Sequence, residues 1–232
     1  MWMGIGTTVP EIANLPGPSK PGGGGSFEYT AIDNSYSMLF DGVNGNRFLA
    51  DNLNSVFDSV STFTIGFWAK FSDPQSNDGV IFTNRVDNNN RITIYRYNTS
   101  IYFHVNSSGS NQGNVTSPST GVWTHIVMVY DGSGSANADR LKVYFNGVEQ
   151  TLSYGGTIPA TTGTYGTSYL GARGDGSNEY NGYLDEVGIW SQVLSKETIE
   201  AMYNATANNP GKVADLSETP EGAPAAWYRM GD

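Results

Sequence analysis

Apolar and polar residues alternate with a period of two along much of this chain. Between Thr62 and Phe71, Ile65, Phe67, Ala69 and Phe71 fall on one face and Thr64, Gly66, Trp68 and Lys70 on the other, which predicts a strand. Further strands are expected at 27–32, 36–42, 79–83, 91–97, 100–106 and 169–173, with a turn at 41–46 and another around Asn98 and Thr99. Residues 122–130 are apolar on both faces, as suits a central strand covered on each side. Leu141–Phe145 and Val148-Glu149 flank Asn146-Gly147, a pair that favours the type I′ turn of a hairpin. Residues 151–167 read as a long polar loop.

The stretch 180–190 alternates again. Tyr183, Asp185, Val187 and Ile189 are expected on one face, and Leu184, Glu186, Gly188 and Trp190 on the other. A short helix of about one turn follows it. Ser195 is its expected N-cap, Glu197 sits where the helix dipole favours an anion, and Leu194 and Ile199 occupy the two positions of a hydrophobic staple. Strand and turn signals at this spacing, with a single late helix, predict an all-β protein: a two-sheet antiparallel jelly-roll sandwich with one short C-terminal-side helix and extended terminal arms. The expected divisions are an arm at 1–26, the sandwich at 27–206 and an extension at 207–232.

Composition narrows the function. The chain has 232 residues and a net charge of −10, with a pI of about 4.5. No cluster of Lys and Arg occurs along the sequence, so no nucleic-acid partner is expected. The absence of cysteine removes disulfides, thiol catalysis and Cys-based zinc sites. No run approaches the ~20 apolar residues of a membrane helix, so no membrane insertion is expected. Met1–Lys20 lacks the basic and apolar regions of a signal peptide, and the expectation is a chain made in a host cytoplasm.

The flanks carry their own signal. Leu15 to Ser26 forms a Pro-stiffened, then Gly-loose linker. Trp2, Met3, Ile5 and Val9 precede it with no local core to enter, and are expected to attach the chain to another subunit. Trp227, Tyr228 and Met230 form a second apolar cluster that is expected to dock on something.

Six segments follow one another in a familiar order: Phe40-Asp41-Gly42, 63–70 with Trp68, 123–132 with Trp123 and His125, 141–147, Leu170-Gly171, and 182–190 with Asp185 and Trp190. In this order they resemble laminin-G-like domains of the concanavalin-A-like superfamily, over about residues 36–204. The resemblance implies a jelly roll that binds glycans, binds proteins or spaces other domains. The flanks resemble virion proteins of tailed phages. They imply a capsid decoration or tail appendage at the virion surface, with other virion proteins as partners. Glycans and further copies of the chain are the alternatives. A carbohydrate-binding adhesion module is the alternative function.

Each candidate site has a bland counterpart. Some sandwich relatives are glycoside hydrolases with carboxylates two residues apart on one strand; here no two carboxylates have that spacing, so no enzyme is expected. The family resemblance implies a structural Ca²⁺ held by Asp185 with oxygens from Asp41, Gly42 and Asn44. The alternative is that Asp41 and Asp185 only bond turn amides. Tyr95, Tyr97, Tyr102 and His104 on neighbouring strands, with Asn89 in the bordering loop, are candidates for glycan contact; cross-strand ring pairing would equally explain the rings. Four glycosylation sequons, at Asn98, Asn106, Asn114 and Asn204, are expected from composition alone.

Overall fold

The computed structural model describes residues 7–8, 27–43, 45–50, 53–72 and 75–231. In chain order its first strands are β1 (Thr7–Thr8), β2 (Ala31–Asp33), β3 (Tyr36–Asp41), β4 (Phe48–Ala50) and β5 (Thr62–Phe71). They continue as β6 (Gln75–Arg85), β7 (Asn90–Asn98), β8 (Ser100–Ser107), β9 (Gln112–Thr116), β10 (Trp123–Asp131) and β11 (Leu141–Phe145). The last are β12 (Val148–Glu149), β13 (Ser153–Gly155), β14 (Ser168–Leu170), β15 (Asn181–Trp190), β16 (Lys212–Ala214) and β17 (Ala226–Tyr228). Among the described residues three α-helices join them: α1 (Asn54–Phe57), α2 (Asn137–Arg140) and α3 (Lys196–Ala207).

The strands build two large antiparallel sheets that face each other as a sandwich. One runs β1-β3-β15-β5-β10-β11-β12, with β17 also pairing β15; the other runs β13-β9-β8-β7-β6-β14-β4. This is the jelly-roll architecture expected from the alternation. Phe63, Ile65, Phe67 and Phe71 of β5 pack between the sheets against Ile92, Ile94, Phe103 and Val105. The Asn146-Gly147 hairpin forms as expected, with φ of 51° and 78°.

β10 explains its own two-sided apolarity. Ile126, Met128 and Tyr130 enter the core between the sheets. Val127 and Val129 point to the other side, where Ile199 and Met202 of α3 cover them together with Trp190. α3 is three turns long, beyond the single turn expected. Its cap is the expected one: Ser195 Oγ accepts the N–H of Thr198 at 3.2 Å, and Leu194 and Ile199 are buried in one cluster.

The alternation of β15 breaks where the sequence gives no warning. Between Asp185 and Gly188 the register against β5 shifts by one residue, and Glu186 takes a φ of 48°. This β-bulge returns Val187 and Ile189 to the core beside Leu184, and leaves Asp185 and Glu186 together on the helix-covered side. The expectation that these adjacent carboxylates face opposite ways is therefore corrected. Both are buried. Asn34 donates its side-chain amide to Asp185 Oδ2 at 2.9 Å and to Glu186 Oε1 at 3.4 Å.

The C-terminal extension is part of the sandwich. Val187, Gly188 and Ile189 pair with Tyr228, Trp227 and Ala226. Tyr228 packs edge-on against Phe48 at 5.2 Å, and Met230 is buried. The cluster expected to dock does so on its own chain. At the other end, Thr7 and Thr8 pair with Ser37 and Tyr36, so at these two residues the arm lies on its own sheet, contrary to the expected placement on another subunit. Trp2, Met3, Ile5 and Val9 lie outside the described residues.

Candidate ligand-binding face

The antiparallel register of β7 and β8 decides which side chains share a face. Ile92 and Ile94 of β7, with Ile101, Phe103 and Val105 of β8, point into the core, so Arg91, Thr93, Tyr95 and Tyr97 point outward. Across the pair, Tyr97 faces Ser100, Tyr95 faces Tyr102, Thr93 faces His104 and Arg91 faces Asn106. Four of the expected contact residues therefore stand on the outer face of the seven-stranded sheet.

The rings stack. Tyr95 lies parallel to Tyr102, with centroids 4.9 Å apart and planes at 6°, and also stacks on His104 at 5.4 Å. Tyr95 is thus the middle of three rings, and Tyr102 and His104 are its ends. Tyr102 is half-buried and Tyr97 is exposed. This arrangement stabilises the sheet by itself. It also holds the Tyr102 ring in one orientation.

His104 is the anchored end. It is buried, and its ring nitrogens lie 3.2 Å from Asn106 Oδ1 and 3.4 Å from the Tyr95 hydroxyl. Arg91 Nη2 is 3.3 Å from the ring. Burial, and then the neighbouring Arg91 charge, push its pKa down to about 3. The imidazole is neutral at ordinary pH, which suits a support rather than a titrating group.

Beyond His104 the face becomes cationic. Arg85 of β6 stands directly opposite Arg91, and both guanidinium groups donate to Asn88 Oδ1, at 3.2 Å and 3.5 Å. Burial, with Arg173 as the next contributor, lowers the Arg85 pKa. On the far side of β6, Tyr169 lies across from Thr83 and carries Arg47 over its ring at 5.7 Å. None of these arginines was singled out from sequence. The signal was there, since a hairpin turning through Asp87 to Asn90 places Arg85 across from Arg91.

Asn89 is separated from the tyrosines. It is exposed in the β6–β7 turn, where its carbonyl accepts the N–H of Gly109 at 3.3 Å. Tyr97 stands seven residues along β7 from the start of that strand, roughly 23 Å at 3.3 Å per residue. Only an extended ligand could reach both.

Asp41 and Asp185 do not come together. Asp41 pairs with Asn181 on β15, four residues or roughly 13 Å from Asp185. Asp41 is exposed and accepts the N–H of Val43 at 3.1 Å and the Asn46 side chain at 3.0 Å, closing its own turn. Gly42 has the positive φ of that turn, and Asn44 lies outside the described residues. Asp185 is held by Asn34 and by the N–H of Glu186 at 2.8 Å. Among the described residues no group of three or more His, Cys, Asp or Glu side chains could hold a metal ion. Among the described residues Asp41 and Asp185 therefore do not share one site.

A laminin-G family profile, described as the concanavalin A-like lectin/glucanases superfamily, matches residues 41–200. The chain belongs to this superfamily. A comparison with curated protein sequences finds no match. Among solved structures the chain is similar to a heptameric SAP-like pentraxin from Limulus polyphemus, at 18% identity and a TM-score of 0.55, covering 84% of this chain and 88% of that one. It is similar to a Bacteroides ovatus protein named as a candidate carbohydrate binding protein, at 14% identity and a TM-score of 0.56, over 89% of this chain and 53% of that one. The binding domain of botulinum neurotoxin serotype G matches at 13% identity with a TM-score of 0.57, over 75% of this chain and 44% of that one. At these identities the likeness to these structures concerns the fold.

Proposed function

We propose that this chain is a carbohydrate-binding module without catalytic activity, which takes its ligand on the outer face of the seven-stranded sheet. The observation that carries this reading is the Tyr102–Tyr95–His104 stack, a row of rings fixed by a buried, hydrogen-bonded histidine on a face otherwise lined by polar side chains. Flat apolar rings beside amide and hydroxyl groups match a sugar, which has both apolar and polar faces. Superfamily membership supports the same reading.

The non-catalytic part rests on the carboxylates. Asp185 and Glu186 are side by side, yet buried beneath Asn34 and Trp227 on the helix-covered sheet. No substrate can lie between them. Display on a virion, the reading drawn from the flanks, now rests on the 1–26 arm alone, because the C-terminal cluster packs on its own sheet.

Affinity electrophoresis of the whole chain through gels containing neutral or acidic polysaccharides tests the proposal. Retardation by at least one polymer, relieved by its free oligosaccharides, supports it. Unretarded migration in every gel would sink it.

A further inference from the structure

Tyr102 can offer a ligand only one face of its ring. Tyr95 covers the other, parallel to within 6° and with its centroid 4.9 Å away. That separation is close to the roughly 4.8 Å between neighbouring strands, so the two rings are stacked along the direction that crosses the sheet. β7, which carries Tyr95, lies on one side of β8, and β9 lies on the other. The open face of Tyr102 is therefore turned toward β9.

The register shows what stands there. Tyr102 pairs with Asn114 of β9, and Asn114 pairs with Ser153 of β13, the edge strand of the sheet. Gly113 and Leu152 turn inward, because a Cβ on Gly113 would meet Leu152 and Leu141 of the core. Asn114 and Ser153 thus share the outer face with Tyr102. Asn114 is half-buried, and donates its side-chain amide to the Ser153 carbonyl at 3.1 Å. That bond fixes the amide plane beside the ring. Asn114 Oδ1 and Ser153 Oγ have no partner among the described residues, and Ser153 is exposed. Along β8, by contrast, the next outward side chain is His104, which is 1% exposed and leaves a ligand little to touch.

We infer that a sugar stacks on the β9-facing side of Tyr102, with its hydroxyl groups bonded by Asn114 and Ser153, and that the module takes a neutral glycan. This rests on the carbohydrate-binding reading above. A held amide beside an open ring face meets the polar edge and the apolar face of one sugar ring at once. Tyr102, Asn114 and Ser153 carry no charge, and a chain at −10 overall repels an acidic polymer. Asn114 is then a specificity-determining residue, since it reads the hydroxyl groups while Tyr102 supplies the platform.

The test measures binding of the full chain to cello-, xylo- and laminari-oligosaccharides, and its retardation by neutral and acidic polysaccharides, with Asn114→Ala, Ser153→Leu and Tyr102→Ala variants. Ser153 is exposed on an edge strand, so Ser153→Leu should melt as the wild type does even if Asn114→Ala does not. The expected result is that a neutral glycan is bound, and that Asn114→Ala weakens it by about tenfold or more, the loss of a hydrogen-bonding group at the site. Ser153→Leu, which adds bulk and removes the hydroxyl, should weaken it as well. Folded Asn114→Ala and Ser153→Leu variants that bind as the wild type does, while Tyr102→Ala loses affinity, overturn this placement and leave the carbohydrate reading standing. Retention by acidic polymers alone overturns the neutral class and also leaves that reading standing. Retention by no polysaccharide overturns both.

Discussion

Trp227 donates its indole N–H to Glu186 Oε2 at 2.6 Å, tying the last strand of the chain to the bulge of β15. Arg229 adds a second contact to the same carboxylate at 3.3 Å. The bond satisfies a carboxylate that the bulge buries, and leaving such a group short of a donor costs about 1–3 kcal/mol or more. Trp227→Phe keeps an aromatic side chain and removes the donor. Urea unfolding should show a loss of about that size; an unchanged midpoint would mean that solvent already satisfies Glu186.

Two buried histidines set the acid behaviour. Burial lowers the pKa of His125, and burial with Arg91 that of His104, to about 3 in each case. The unfolded chain titrates near 6.5, so it binds more protons than the native state between about 6.5 and 3. Stability is therefore full above about 6.5 and falls as the pH drops through this window. Unfolding free energies measured across it should decline, and His104→Gln should flatten the decline. A His104→Gln slope equal to the wild type would contradict the neutral, buried imidazole.

Gly171 follows β14 at a φ of 86°, and a Cβ there would lie 2.0 Å from Phe40 Cε1. Both the backbone and the space demand glycine. Gly171→Ala should cost at least about 2 kcal/mol, from overpacking combined with a strained backbone. Thermal melting close to wild type would show that Phe40 can move aside.

The same position shows what was legible in the sequence. Phe40 and Gly171 are both parts of the segments that resemble the superfamily, and their contact gives that pattern a physical cause. The alternation of Thr62–Phe71 gave β5 residue for residue, since a strand between two neighbours has one period to obey. Tyr95, Tyr97, Tyr102 and His104 could be placed on neighbouring strands, and the tight turn at Asn98 sets the register that puts them on one face. The bulge at Glu186 was not legible, because a positive φ at glutamate leaves no compositional mark. Nor was the cationic end of the face. Arg85 and Arg91 share the β6–β7 hairpin, but only the sheet order brings Arg47 and Arg173 beside them.

Titration calorimetry of wild type and Tyr102→Ala against the polysaccharide that retards the chain most tests the central claim. Tyr102 is half-buried at the end of the ring stack, so its truncation should leave the sandwich folded, as circular dichroism would confirm. Removing an aromatic that anchors a ligand costs about 2 kcal/mol or more, or about thirtyfold in affinity. The account predicts a loss of at least that size in a folded variant. A folded Tyr102→Ala that binds as tightly as the wild type would place the ligand elsewhere and contradict it.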